Sequence, residues 1–165
     1  MARRTDASAG TPATVALTRA GIRFTAHPYE HDPRSAAYGL EAAEKLGVEP
    51  ARVFKTLLAS VDGALAVGIV PVADQLDLKA LASALGGKRA EMADPAVAER
   101  KTGYVVGGIS PIGQKVALPT VLDETAILCD SVFVSGGRRG LDLELAPDDL
   151  LAVTGGRYAP IARPR

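Results

Sequence analysis

Val53-Phe54-Lys55-Thr56-Leu57-Leu58-Ala59, then Asp62-Gly63, then the apolar run from Ala64 to Val70, is the stretch on which the fold turns. Asp-Gly between two apolar runs is the strongest short-range signal of a β-hairpin, because both turn residues must take positive φ. An explicit antiparallel hairpin argues against a purely parallel, doubly wound sheet. The segments around it read as short helices and strands that do not alternate regularly. The expectation is therefore an α+β chain: one mixed domain with a curved, largely antiparallel sheet flanked by short helices.

Upstream, Thr11-Pro12 reads as a cap followed by Pro at the first helical position, with Gly21 as the stop. Ile22 to Ala26 alternates like a strand, and His27-Pro28 to Pro33 reads as irregular. Tyr38 to Leu46 is a helix closed by Gly47, with Glu41 and Lys45 spaced as an i, i+4 pair. Downstream, Asp77 caps a helix running to Leu85, and Asp94-Pro95 starts another ending at Gly103. Strands are expected around Val121, at Ser131 to Val134 and at Leu141 to Leu145. Pro147 opens a last helix, and Gly155-Gly156 close it. Residues 1–11 hold no apolar block and read as a mobile tail; residues 12–165 read as the domain.

A second stretch, Thr102 to Lys115, carries the functional signal. Tyr104 to Val106 reads as a buried strand that breaks into Gly107-Gly108, Ser110-Pro111 and Gly113. Glycines at a strand end let backbone N–H groups approach a ligand, so the reading is an anion or carbonyl-oxygen site with Ser110 adding a hydroxyl. Against it stands a plain tight turn. The spacing is neither a P-loop nor a dinucleotide fingerprint.

Lys+Arg and Asp+Glu are 19 each, so the formal net charge is zero and strong non-specific nucleic-acid binding is disfavoured. Aromatics are 4% with no Trp, which leaves Ala, Val, Leu and Ile to build the core. No apolar run reaches the ~18 residues of a membrane span. No secretory leader is recognisable and Cys129 is the single cysteine, so a cytoplasmic location is expected.

Among candidate chemistry, Lys55 shares a strand face with Val53 and Leu57, which makes it either a solvated lysine or a cation on a cleft floor. Asp142 alternates with Leu141 and Leu143; it is either on a solvated face or placed to pair with Lys55 or an amine. Arg138-Arg139, beside glycines, could touch phosphate or form a polar rim. His27 and His31 are four apart, but Pro28 between them breaks the helix a metal pair would need. Cys129 follows an apolar run with no base in sight and reads as a small hydrophobe. A Gly-x-Ser-x-Gly elbow is absent.

Taken together, Phe54-Lys55-Thr56, Thr102 to Lys115 and Val134 to Leu141 resemble the YbaK (EbsC-like) family. Its members are free-standing relatives of the editing domain inserted in bacterial prolyl-tRNA synthetases. The resemblance extends over the Tyr29 segment and Glu41 to Gly47, and covers about Pro12 to Ala162. It implies a mixed α+β fold and a deacylase, an ester hydrolase or lyase-type enzyme, that removes cysteine from the tRNA for proline. Neither cofactor nor metal is implied. The partners implied are the acceptor end of aminoacyl-tRNA and prolyl-tRNA synthetase, with no membrane.

Residue by residue, the resemblance makes Lys55 the essential lysine and Gly107 the glycine whose backbone faces the substrate carbonyl, with Gly108 sharing the oxyanion. Tyr29, Thr56, Ser135 and Asp142 match polar pocket positions, and Tyr38 stands where an aromatic, commonly Phe, is expected. The substrate's own thiol would attack its carbonyl. Two other readings stay open: a deacylase for another small amino acid such as alanine or serine, and a non-catalytic tRNA or nucleotide binder.

Overall fold

Asp62 and Gly63 both take positive φ, 50° and 87°, and fold the chain back as the sequence requires. Strand β2 (Phe54–Val61) then pairs antiparallel along its whole length with β3 (Ala64–Pro71). The Asp62 carboxylate also accepts the N–H groups of Lys88 and Arg89, which ties the turn to the segment entering β5 (Ala90–Met92). The computed structural model describes residues 10–165, so the tail reading of residues 1–9 lies outside it. Thr11 belongs to the fold: it caps helix α1 (Pro12–Ala20) in a reciprocal box with Thr14.

The central sheet has five strands in the order β5-β2-β3-β6-β9, with β6 at Thr120–Asp123 and β9 at Arg157–Ala159. Beside it stands a three-stranded antiparallel sheet, β1 (Thr25–Pro28), β8 (Leu141–Leu145) and β7 (Val132–Ser135), in the order β1-β8-β7. A parallel bridge from Val53 to Phe133 joins the two sheets at the start of β2. A small pair, β4 (Gln75–Leu76) with β10 (Ala162–Arg163), completes the pairing. Antiparallel pairings dominate, but β6 runs parallel to both β3 and β9.

Five α-helices lie among the described residues: α1, α2 (Tyr38–Leu46), α3 (Leu78–Ala84), α4 (Pro95–Thr102) and α5 (Pro147–Thr154). Asp77 and Asp94 cap α3 and α4 through Ala80 N–H and Ala96 N–H, as the capping pattern predicts. Side chains alternate along β2, so Phe54 and Leu58 enter the core shared with the three-stranded sheet, α1 and α5. Leu57, Ala59 and Val61 face the core under α3 instead. None of the described helices is long and apolar enough to cross a membrane.

Two sequence expectations need correction. The first strand begins at Thr25 rather than Ile22 and runs on to Pro28, opposite Leu141; Pro is tolerated at the end of an edge strand. Tyr104 to Val106 is not a strand. Its polar groups are used locally: Tyr104 N–H bonds Thr102 Oγ1, Val106 N–H bonds Glu99 Oε2, and Val105 C=O accepts Gly108 N–H. With those groups taken, and Val105 half exposed at 53%, no ladder forms.

Candidate active site

A cleft of about 390 Å³ opens where β2 leaves the shelter of β5. Strand β5 covers only Ala59 to Val61, so the first half of β2 forms one wall. The N-terminus of α2 and the loop through Gly107 and Ile109 form another wall, with Ser135 and Asp142 beneath. Tyr29, Tyr38, Lys55, Thr56, Gly107, Ser135 and Asp142 all line this one cavity. Seven positions scattered over more than a hundred residues thus meet in space.

Lys55 is half-buried, and no carboxylate among the described residues lies within ion-pair distance of it. Burial in the cleft, and then the charge of Arg165, push its amine below the ordinary lysine value; Asp74 opposes them. Asp142 is 5% exposed, and burial raises its carboxyl from 3.8 to about 7. The two line the same cavity without pairing. The alternation that suggests a solvated Asp142 fails because both faces of β8 are covered, the Asp142 face by the walls of the cleft.

Tyr29 is held by its N–H on Gly140 C=O at 2.9 Å. Burial and the neighbouring Asp142 raise its phenol to about 12. Its loop is pinned by Glu41, which reaches His31 Nδ1 and the Asp32 N–H, each at 2.7 Å. Glu41 therefore turns inward, 6% exposed, rather than serving a surface pair with Lys45. Burial alone would raise its carboxyl, but those two bonds outweigh burial and hold it below the ordinary value. His27 takes Glu144 at 2.9 Å, so each histidine has its own carboxylate.

The glycine-rich loop divides the expectations placed on it. Gly107 has φ +90°, and an added Cβ would lie 2.8 Å from Arg139 Nε and from Tyr38 Cε1. Its N–H makes no hydrogen bond among the described residues. Gly108 is a packing glycine: a Cβ there would lie 2.8 Å from the Arg138 Cα. Its N–H is spent on Val105 C=O at 2.8 Å, so the oxyanion role expected of Gly108 is not available to it. Ser110 is fully buried outside the cleft lining, with its Oγ accepting Ile112 N–H. The turn it stabilises explains its place in the motif.

Arg139 directs its fork at this loop: Nε and Nη2 donate to Val106 C=O at 3.0 and 2.6 Å, and the guanidinium lies 5.1 Å from the Tyr38 ring centre. Arg138 is exposed beside it. Cys129 does not line the cleft, and burial raises its thiol. The sequence reading missed Arg165, which lies beyond the last helix and reaches the cleft from the chain end. It also missed Leu40 and Met92, which line the cleft while 41% and 50% exposed.

Known proteins share both the sequence and the fold of this chain. A model of the aminoacyl-tRNA editing domain matches residues 34–153. The chain is 45% identical over 121 residues to EbsC of Enterococcus faecalis, a candidate Cys-tRNA(Pro)/Cys-tRNA(Cys) deacylase, covering 72% of this chain and 73% of that one. It is 31% identical over 100 residues to the proline–tRNA ligase of Maridesulfovibrio salexigens, covering 61% of this chain and 17% of that enzyme. A crystal structure described as a candidate trans-editing enzyme for prolyl-tRNA synthetase superposes with a TM-score of 0.78 at 26% identity, over 92% of this chain and 95% of that one. With the editing-domain model spanning most of its length and such a relative matched along most of both chains, this chain belongs to the aminoacyl-tRNA editing domain family.

Proposed function

We propose that this protein is a deacylase acting in trans on mischarged aminoacyl-tRNA, with Cys-tRNA(Pro) as its substrate. One observation carries the reading: a small cleft holds a cation and a buried acid, Lys55 and Asp142, that are unpaired among the described residues, while no nucleophile–base pair lies among its lining residues. Such a site suits a substrate that brings its own reactivity. The aminoacyl end of a tRNA has an α-ammonium for Asp142, phosphates for a cation, and an activated ester between them.

In this reading the cysteinyl thiol attacks its own ester carbonyl. A C–S bond forms, the ester C–O bond breaks, and the thiol proton leaves with the ribose hydroxyl of the released tRNA. Water then opens the thiolactone to free cysteine. The protein's share is positional, which contributes ~7–11 kcal/mol in favourable cases. Gly107 N–H is the loop's available oxyanion donor, a role worth ~3–4 kcal/mol. Tyr29 and Tyr38 wall the side-chain pocket, and Ser135, whose Oγ accepts Gly137 N–H at 3.3 Å, shapes its floor beside Asp142. Lys55 and Arg165 face the nucleotide.

The acceptor end is the RNA partner of this scheme. Association with prolyl-tRNA synthetase, the enzyme that makes the mischarged product, is the matching protein partnership. The test is a deacylation panel of Cys-, Ala- and Pro-tRNA(Pro) with purified protein, beside Lys55→Ala. Preferential loss of cysteine, absent in the variant, supports the reading; tRNA binding without turnover of any of the three refutes it.

A further inference from the structure

The edge of β2 that faces the cleft carries a set of unused hydrogen-bonding groups. Val72 N–H donates to Val53 C=O at 2.9 Å, so the odd-numbered residues of β2 turn their main-chain groups toward β3. Ala93 N–H donates to Leu58 C=O at 3.0 Å, and Asp62 N–H to Arg89 C=O at 2.9 Å, so the even-numbered residues turn toward β5. Strand β5 stops short, pairing with Ala59 to Val61 alone, and the bridge to Phe133 lies at Val53. Thr56 falls in the gap. Its N–H and C=O point out of the sheet edge, where no strand of the described residues pairs with them, at a residue that lines the cleft. Its Oγ1 is buried and has no hydrogen-bond partner, the sole such side-chain atom among the described residues.

Thr56 as a whole is half-buried, but a buried hydroxyl without a partner is costly unless a ligand completes it, and the N–H and C=O beside it face the same cleft. An aminoacyl ester offers the complement. Like one residue of a strand, it has a donor nitrogen and an acceptor carbonyl flanking a single Cα. We infer that, on the deacylase reading above, the aminoacyl group adds to the Thr56 edge as one residue of an antiparallel strand. Its α-ammonium donates to Thr56 C=O, and Thr56 N–H donates to the ester carbonyl. The Thr56 N–H thereby replaces the donor that Gly108 does not provide. Directly opposed residues carry their side chains on the same face, so an L-aminoacyl side chain stands beside Thr56 Oγ1. The hydroxyl then favours a side chain that hydrogen-bonds, as cysteine does, over alanine.

The experiment measures binding of 3′-deoxy-3′-(L-cysteinylamino)adenosine, an amide analogue that the protein cannot deacylate by ester cleavage. It compares wild type with a protein carrying the α-hydroxy analogue of threonine at position 56, which exchanges the N–H for an oxygen and keeps the side chain. Loss of one such bond is expected to weaken binding about tenfold. Thr56→Val is expected to weaken the cysteinyl analogue and leave the alanyl analogue unchanged. With unaltered protein, the D-cysteinyl analogue is expected to bind about tenfold more weakly, or worse, because its side chain falls on the opposite face. Equal binding by the position-56 ester protein, equal binding of D and L analogues, or no binding by wild type would each overturn the inference. Edge-dependent binding without turnover of Cys-tRNA would refute the deacylase reading and support this one; turnover with edge-independent binding would do the reverse.

Discussion

Arg139 grips the carbonyl of Val106 with two hydrogen bonds, from Nε at 3.0 Å and Nη2 at 2.6 Å. The guanidinium thus spends its planar fork on the loop that presents Gly107, and its flat face on Tyr38. Arg139→Ala is expected to cut single-turnover deacylation at least ~10-fold, with Arg139→Lys a poor rescue because an ammonium cannot reproduce the fork. The slope of log affinity against log salt should change by well under ~1. A slope reduced by a full unit with normal turnover would make Arg139 a phosphate contact instead.

Lys55 has no ion-pair partner to lose among the described residues, and burial already disfavours its charge. Lys55→Ala should therefore abolish deacylation while leaving the melting temperature unchanged or slightly raised. Thermal melts and single-turnover rates on the same preparation check this; a variant that melts early would make Lys55 a structural residue.

Asp142 combines a stability cost with a functional role. Its folded-state value, about 7, lies above the ordinary 3.8, so the folded state holds the proton more tightly than the unfolded one. Stability from this group is thus fully present below about pH 4 and falls as pH rises toward 7. Asp142→Asn should be more stable than wild type at about pH 8, by at most roughly 4 kcal/mol, with the two converging near pH 4. The same variant should lose most kcat/KM, because an amide cannot match an ammonium. For wild type, kcat/KM should climb through pH ~7 as Asp142 ionises. A flat profile would remove Asp142 from substrate binding.

Glu41 and His31 are expected to act on the site through the Tyr29–Tyr38 loop. Glu41→Ala leaves the Asp32 N–H and His31 without their buried partner, an expected loss of about 1–3 kcal/mol. KM should rise while kcat in the saturated enzyme changes less. Since Glu41 titrates below its ordinary value when folded, its stabilising effect should vanish as pH falls through that lowered value. An unchanged KM would uncouple this pin from the pocket.

What the sequence reveals here is local grammar. Asp62-Gly63, the caps at Thr11, Asp77 and Asp94, and the Gly47 and Gly155 stops each act within a few residues, and each forms as read. Tyr104 to Val106 misleads because an apolar triplet does not disclose that Thr102 and Glu99 will claim its N–H groups. Ser110 misleads for the same reason, through Ile112. Asp142 and Arg165 depend on what covers each face of β8 and where the segment after the last strand returns, which no spacing encodes. Resemblance to a family singles out most of the polar lining residues, Arg165 excepted, but the free edge at Thr56 follows from hydrogen-bond parity. Gly107 answers to both conformation and crowding, so Gly107→Ala should lower stability and turnover together.

The central claim is that the substrate's thiol, rather than a group on the protein, opens the ester. Single-turnover reaction of S-methylcysteinyl-tRNA(Pro) beside Cys-tRNA(Pro) tests it most directly, with the two competed for binding to confirm that both occupy the cleft. The expected result is competitive binding with hydrolysis slowed by ~10³-fold or more, since removing the thiol forfeits the proximity advantage. Hydrolysis of the S-methyl substrate at a rate comparable to that of Cys-tRNA(Pro) would contradict the account and place the nucleophile on water or on the protein.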